Sequence, residues 1–204
     1  MTDRPTVAPR YSKVLREDSL DRMRAAFHRA NPSMVLAWRL GFGPLFNMWP
    51  SVGGRMLVLS HSGRKTGTRY RTPLNYAPVG DDLYCLAGYG SRTDWYRNIT
   101  VQPEVEIWLP TGRWAAVAFD ASDDPDRVAR MRDVLVASGF AARAIGLVPK
   151  RMTGHEIDET TQTYRLVRIV STGRRSPGPA DLAWLWMVPL IAYVTRAIRD
   201  SRRV

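Results

Sequence analysis

Residues Leu59 to Tyr76 read LSHSGRKTGTRYRTPLNY, and Leu83 to Asn98, beyond a Gly80-Asp81 turn, read LYCLAGYGSRTDWYRN. A glycine-bracketed basic turn (Gly63, Arg64, Lys65, Gly67) thus sits between two strand-like runs. A second glycine pair, Gly88 and Gly90, leads into a short polar helix start. This layout brings together cations, pliable backbone and free N–H groups, which are what a phosphate-bearing anion needs. A solvated hairpin would meet the same spacing. The order of residues is not that of a P-loop, because the Gly-Lys-Ser/Thr sequence and its strand–loop–helix setting are missing.

Working outward, Met56 to Ser60 reads as a buried strand, Arg69 to Ala77 as a second, and His61 to Thr68 as the hairpin loop between them. Leu83 to Ala87 is a third strand. Thr93 or Asp94 can cap a short helix, Trp95 to Val101, which Pro103 stops. Val105 to Leu109 and Trp114 to Ala121 form a further hairpin around Pro110-Thr111-Gly112. Asp123 to Ser138 is amphipathic and helical, with acids in its first turn. Thr163 to Val170 closes the strand set. Upstream, Glu17 to Ala30 has helical spacing, and Met34 to Pro50 is apolar but interrupted by Gly41, Gly43 and Pro44. About six strands with short links and few helices predict a mainly β protein with helices (α+β), built as a small antiparallel barrel. No repeated strand–helix unit supports a doubly wound sheet.

The chain has 204 residues, with 30 Lys plus Arg against 19 acids, for a formal charge of +11. The surplus suits nucleic acid, an anionic membrane surface or a polyanionic small ligand. No zinc finger, basic zipper or arginine-rich arm is present, so nucleic acid is not expected. The single cysteine, Cys85, excludes an intrachain disulfide and reads as a core thiol. His28, His61 and His155 form no ligand spacing, so no metal site is expected. Ser60-His61-Ser62 is not a triad, and His155-Glu156 reads as a polar loop or helix start. Candidate ligand contacts without a nucleophile, metal or acid pair fit chemistry borne by a cofactor.

After a linker around Ser176-Pro177-Gly178-Pro179, Leu182 to Thr195 is uncharged and precedes Arg196, Arg199, Arg202 and Arg203. This run falls short of the roughly 20 residues that span a bilayer. Pro189 lowers its helix propensity, and a C-terminal apolar helix is still the expectation. Trp184, Trp186 and Tyr193 suit a water–lipid boundary, and packing on the 34–49 segment or at a dimer contact is the alternative.

Taken in order, GRKTG, RTPLNY, the glycine turn after Leu86-Ala87, DWYRN and the following PEVEIWL resemble the deazaflavin-dependent nitroreductase and quinone reductase family. The resemblance covers roughly Arg55 to Ile169. It implies a split β-barrel and coenzyme F-420 as cofactor; FMN is the alternative. Lys65 matches the family lysine at the cofactor's anionic tail, and Arg71 an arginine beside it. Arg64 and Arg69 would add charge. Thr72, Pro73 and Leu74 match the strand bordering the deazaflavin. Gly88, Tyr89 and Gly90 match the turn lining ring and phosphate, with the backbone on to Ser91 expected to cradle them, and Trp95 and Asn98 match the helix that closes the site. Tyr76 and Tyr89 are the candidate proton donors. Tyr70 stands where many relatives carry arginine. Gly88 stands where nitroimidazole-reducing relatives carry serine, and Gly139 to Thr153 replaces their tyrosine-rich segment.

The domain plan that follows is a mobile tail (1–12), an N-terminal helical, apolar segment (13–54), the cofactor-binding split barrel (55–171), a linker (172–179) and an apolar, basic C-terminal appendage (180–204). The implied function is hydride transfer between reduced F-420 and an unsaturated or quinone-like, lipophilic acceptor. The alternatives are a non-catalytic deazaflavin or lipid carrier, or an FMN-dependent oxidoreductase. Expected partners are a lipophilic small molecule, a membrane surface through 182–203 and a second copy of the chain. The N-terminus shows no signal core, and a cytoplasmic protein at the inner face of the plasma membrane is expected.

Overall fold

The computed structural model describes residues 29–176 and 182–201. The expected tail 1–12, nearly all of the Glu17 to Ala30 helix, and the linker beyond Ser176 lie outside the described residues.

Six antiparallel strands close a barrel in the order β1-β2-β3-β6-β5-β4, with β4 returning to β1. They are β1 (Met56–Ser62), β2 (Arg69–Val79), β3 (Asp82–Ala87), β4 (Glu104–Leu109), β5 (Gly112–Asp120) and β6 (Arg165–Arg175). Alternation decides what each strand buries. Leu57, Leu59, Ile107, Val167 and Ile169 point into the barrel, and each is at most 1% exposed. Fully burying one such side chain stabilises the fold by about 1.5–3 kcal/mol. Cys85 lies in the same core, where burial pushes its thiol pKa up.

The opposite strand faces are also covered, which is why several strands read as continuous apolar runs. Val58 and Trp108 pack outward against Trp38, in a helical segment spanning residues 29–37 (α1) and running into Trp38–Phe42. Gly41, at φ 92°, breaks that segment, as the glycines had suggested. Short helices α2 (Gly43–Phe46) and α3 (Pro50–Gly53) follow it. On the far side, Tyr84, Leu86 and Leu166 pack against α5 (Arg127–Ala137), α6 (Phe140–Ala144) and α7 (Gly154–Thr161). Helix α4 (Asp94–Ile99) plugs one end of the barrel with Trp95, Tyr96 and Ile99.

Several boundaries move. His61 and Ser62 pair with Tyr70 and Arg69, so the β1–β2 loop shrinks to Gly63–Thr68. Helix α5 starts at Arg127, with the acids Asp123, Asp124 and Asp126 ahead of it. Strand β6 continues past residue 171 to Arg175, because Ala116 and Trp114 of β5 pair with Ser171 and Arg175. His155 and Glu156 open α7, where Thr153 and Glu156 form a reciprocal cap. Helix α8 (Met187–Ser201) forms despite Pro189. The proline sits in its first turn, where a backbone N–H has no helical partner to lose. Among the described residues no helix is long and apolar enough to cross a membrane.

Candidate functional site

Strand β2 changes partners along its length. From Arg69 to Asn75 it pairs with β1, and from Tyr76 to Val79 with β3. Its first half therefore keeps an edge without a partner strand, and an edge strand tolerates Pro73. Beside that edge lies a cavity of about 980 Å³, walled by the β1–β2 loop, the turn after β3, α4, α1 and the end of α5. Of the residues expected to bind the cofactor, Arg64, Lys65, Arg69, Arg71, Thr72, Pro73, Leu74, Gly88, Tyr89, Trp95 and Asn98 line it.

Gly90 and Ser91 do not. Gly90 is buried at φ 59°, and a Cβ there would meet the Thr163 carbonyl oxygen at 2.2 Å, so this glycine serves the chain's own packing. Ser91 is exposed outside the cavity. Tyr76 is also absent from the cavity wall. It faces the barrel core, where burial raises its pKa. Tyr89 is half-buried at the wall, which Tyr70 also lines.

A chain of polar contacts crosses the back of the cavity. The Asn98 Oδ1 accepts from the Arg64 backbone N–H at 3.2 Å and from its Nη1 at 2.9 Å. The amide orientation is thereby set, and Asn98 Nδ2 donates to His61 Nδ1 at 3.2 Å. That leaves His61 Nε2–H to donate to Thr72 Oγ1, also at 3.2 Å. His61 is 3% exposed, and burial lowers its pKa to about 4, so the imidazole is neutral at pH 7. Arg64 also reaches Asp94 at 3.4 Å. The loop itself is closed by Gly63 N–H donating to Thr68 O and Gly67 N–H to Gly63 O, both at 2.8 Å. Gly67 adopts φ 68°, a left-handed conformation that glycine takes without penalty.

Charge is unevenly compensated here. Arg71 loses affinity for its proton first through burial and then through Arg39, Arg113 and Arg69, with Glu106 as the opposing acid. Glu106 is itself spoken for: it is buried, pairs with Arg69 at 3.2 Å, and accepts from Ser60 and Ser176. Lys65 is exposed on the loop and forms no ion pair among the described residues. Thr93 Oγ1 lies buried at the cavity wall without a hydrogen-bond partner among the described residues. Gly88 faces open space, so backbone there is free to meet a flat ring.

Sequence reading missed His61 as a site residue, although it continues the inward positions of Leu57 and Leu59. It also missed Arg39, Leu36 and Ser138, which reach the cavity from remote elements; only the tertiary fold brings them near.

A barrel with an open strand edge, surplus guanidinium charge and glycine backbone at one cavity belongs to the class that holds a ring-bearing polyanion. Residues 38–149 match the family described as F420H(2)-dependent quinone reductase, more than half of the chain, and the chain belongs to that family. The cofactor that goes with this membership is coenzyme F-420. Its phosphate and carboxylates suit the uncompensated Lys65 and Arg71, the orphan Thr93 hydroxyl and the bare Gly88 backbone, so the residues present fit it.

A Mycobacterium tuberculosis (strain H37Rv) protein, Rv3178, whose name proposes an F420H(2)-dependent quinone reductase, is 31% identical over 71 residues. That alignment takes in 33% of this chain and 60% of the relative's length. Among solved structures, the heme storage protein HutZ of Vibrio cholerae is 14% identical, with a TM-score of 0.42 over 64% of this chain and 90% of its own. The conserved hypothetical protein Rv2991 of Mycobacterium tuberculosis gives 14% and 0.42 over 67% and 91%.

Proposed function

We propose that the chain is an oxidoreductase that couples reduced F-420 to an unsaturated or quinone-like, lipophilic acceptor. The observation that carries this reading is the single cavity wall on which Lys65 and Arg71 face an acid-poor space beside the Gly88–Tyr89 backbone. When bound, reduced F-420 supplies a hydride.

The chain's own residues do the rest. Lys65 and Arg71 bind the anionic end through charge-assisted contacts. Thr72, Pro73 and Leu74, which line the same cavity, would hold the ring. Arg64 is held by Asn98, which is braced by His61 and Thr72, so the loop that carries Lys65 keeps one geometry. Tyr89 holds a proton at its hydroxyl beside the acceptor. Val35, Leu36, Leu74, Leu86 and Trp95 give the same cavity an apolar side that excludes water and suits a quinone ring.

Titration of the purified chain with F-420, FMN and NADPH tests the cofactor, and oxidation of reduced F-420 by a menaquinone analogue tests the acceptor. Saturable F-420 binding with quinone-dependent oxidation is expected. No F-420 binding at ligand concentrations of tens of micromolar removes the reading. Binding without oxidation by any quinone or enone reduces the chain to a carrier.

A further inference from the structure

We propose that α8 is a docking surface for an anionic lipid bilayer. Met187, Ile191, Val194 and Ile198 recur at spacings of four, three and four, which puts them on one helix face. They are 58, 54, 45 and 47% exposed. An apolar stripe of this kind has high free energy in water unless something covers it.

The same element carries the polar parts of an interfacial helix. Arg196 and Arg199 are exposed off the stripe, Tyr193 is 72% exposed, and Trp184, in the short turn Ala183–Trp186 just ahead of the helix, is 56% exposed. Cations pair with anionic head groups, and aromatic rings with a polar edge settle at the water–lipid boundary. A helix of 15 residues extends about 22 Å, too short to span and suited to lie in the plane of the surface.

Charge decides between a bilayer and a second copy. A second copy carries the same formal charge of +11, so two copies brought stripe to stripe repel each other. An anionic surface turns the same charges into attraction.

The root of the helix is fixed. Leu182 N–H donates to the Arg39 carbonyl at 2.8 Å, and a Cβ on Gly41 would stand 3.3 Å from that of Ala183. Arg39 and its neighbours Val35 and Leu36 line the cavity, so the docking element is rooted beside the site. A bilayer-dissolved acceptor would then have a short path to the cavity, a consequence that rests on the proposed reaction. The docking itself does not.

The test is co-sedimentation of the full chain with vesicles, without any cofactor. Strong partitioning onto phosphatidylglycerol/phosphatidylcholine vesicles and weak partitioning onto phosphatidylcholine alone are expected. Ile191→Asp and Val194→Asp should each lower partitioning roughly tenfold or more. Arg196→Glu and Arg199→Glu should each lower it about fivefold on the anionic vesicles only. An unchanged thermal midpoint shows that each variant keeps its barrel. A wild-type chain left in the supernatant with anionic vesicles overturns the proposal, as do stripe variants that partition like wild type. If the stripe variants instead turn a dimer into a monomer by light scattering, with no vesicle binding, the face belongs to a second copy.

Discussion

Two sets of cations, one in the α5–α7 layer and one at the cavity, are treated differently. In the α5–α7 layer every arginine of α5 has a partner. Arg127 donates to Asp158 Oδ1 and to the Thr161 carbonyl, both at 2.6 Å, Arg130 pairs with Asp133 and Asp126, and Arg132 donates to the carbonyls of Pro149 and Met152. At the cavity, Lys65 has no ion pair among the described residues and Arg71 stands among other guanidinium groups. Cations that are paired off within the chain hold the fold. Cations left in surplus gain the fold nothing from their mutual repulsion, and the proposed function gives them a ligand's negative charge to meet.

The largest expected effect tests that division directly. Replacing both Lys65 and Arg71 by alanine should remove two charge-assisted contacts of about 2 kcal/mol each, lowering F-420 affinity roughly a thousandfold. The thermal midpoint should stay the same or rise, since Arg71→Ala also relieves repulsion from Arg39, Arg113 and Arg69. Calorimetric titration and thermal melting read the two quantities separately. A fall in midpoint with unchanged affinity would invert the comparison.

His61 sets the next effect, because it is the one ionisable group of the cavity network kept neutral. Its folded pKa of about 4 lies below the ordinary 6.5. Below pH 6.5 the unfolded chain takes up a proton that the folded chain refuses. Stability is therefore fully present above 6.5 and declines as pH falls from 6.5 towards 4, by roughly 3 kcal/mol in all. His61→Gln keeps hydrogen-bonding groups at the position and should flatten the urea-unfolding profile across that window. An equally steep profile in the variant would place the titration elsewhere.

Arg127→Ala probes the other side. The Arg127 side chain is 16% exposed and ties the start of α5 to α7. Its loss should cost about 2 kcal/mol and lower the midpoint by about 5 °C, with F-420 affinity unchanged. A tenfold loss of affinity here would show that the two cation sets are coupled.

The two regions also differed in how much of them could be read from the chain. The barrel was legible because alternation along Leu57, Leu59, Ile107, Val167 and Ile169 reports directly which face is buried. The basic loop was legible because its glycines and cations are adjacent in sequence. Tyr76 was misplaced because it stands at the point where β2 exchanges β1 for β3, and no local pattern marks that exchange. Gly90 looked like ligand cradle, yet its constraint is the Thr163 carbonyl, a residue far along the chain. The C-terminal apolar helix was expected against the weight of Pro189, which costs little because α8 begins just before it. The cavity's remote wall, from Leu36 and Arg39 to Ser138, depends on which helices pack on which strand faces.

The smallest effect examines how the cavity network is braced. Thr72 lies on the stretch of β2 that pairs with β1 and leaves its other edge without a partner strand, and its hydroxyl is the acceptor for His61 Nε2–H. Thr72→Val preserves shape but leaves that buried N–H unsatisfied, at a cost of about 1 kcal/mol. Thr72→Ser keeps the hydroxyl and should restore most of the loss. The same pair of variants should differ by only a few-fold in F-420 affinity, since Thr72 acts on the anionic end through His61, Asn98 and Arg64 rather than by its own charge. If valine and serine prove equally stable yet both bind F-420 weakly, the Thr72 hydroxyl contributes nothing through His61. The residue's influence on the cofactor would then come from direct packing of the threonine methyl along the strand edge.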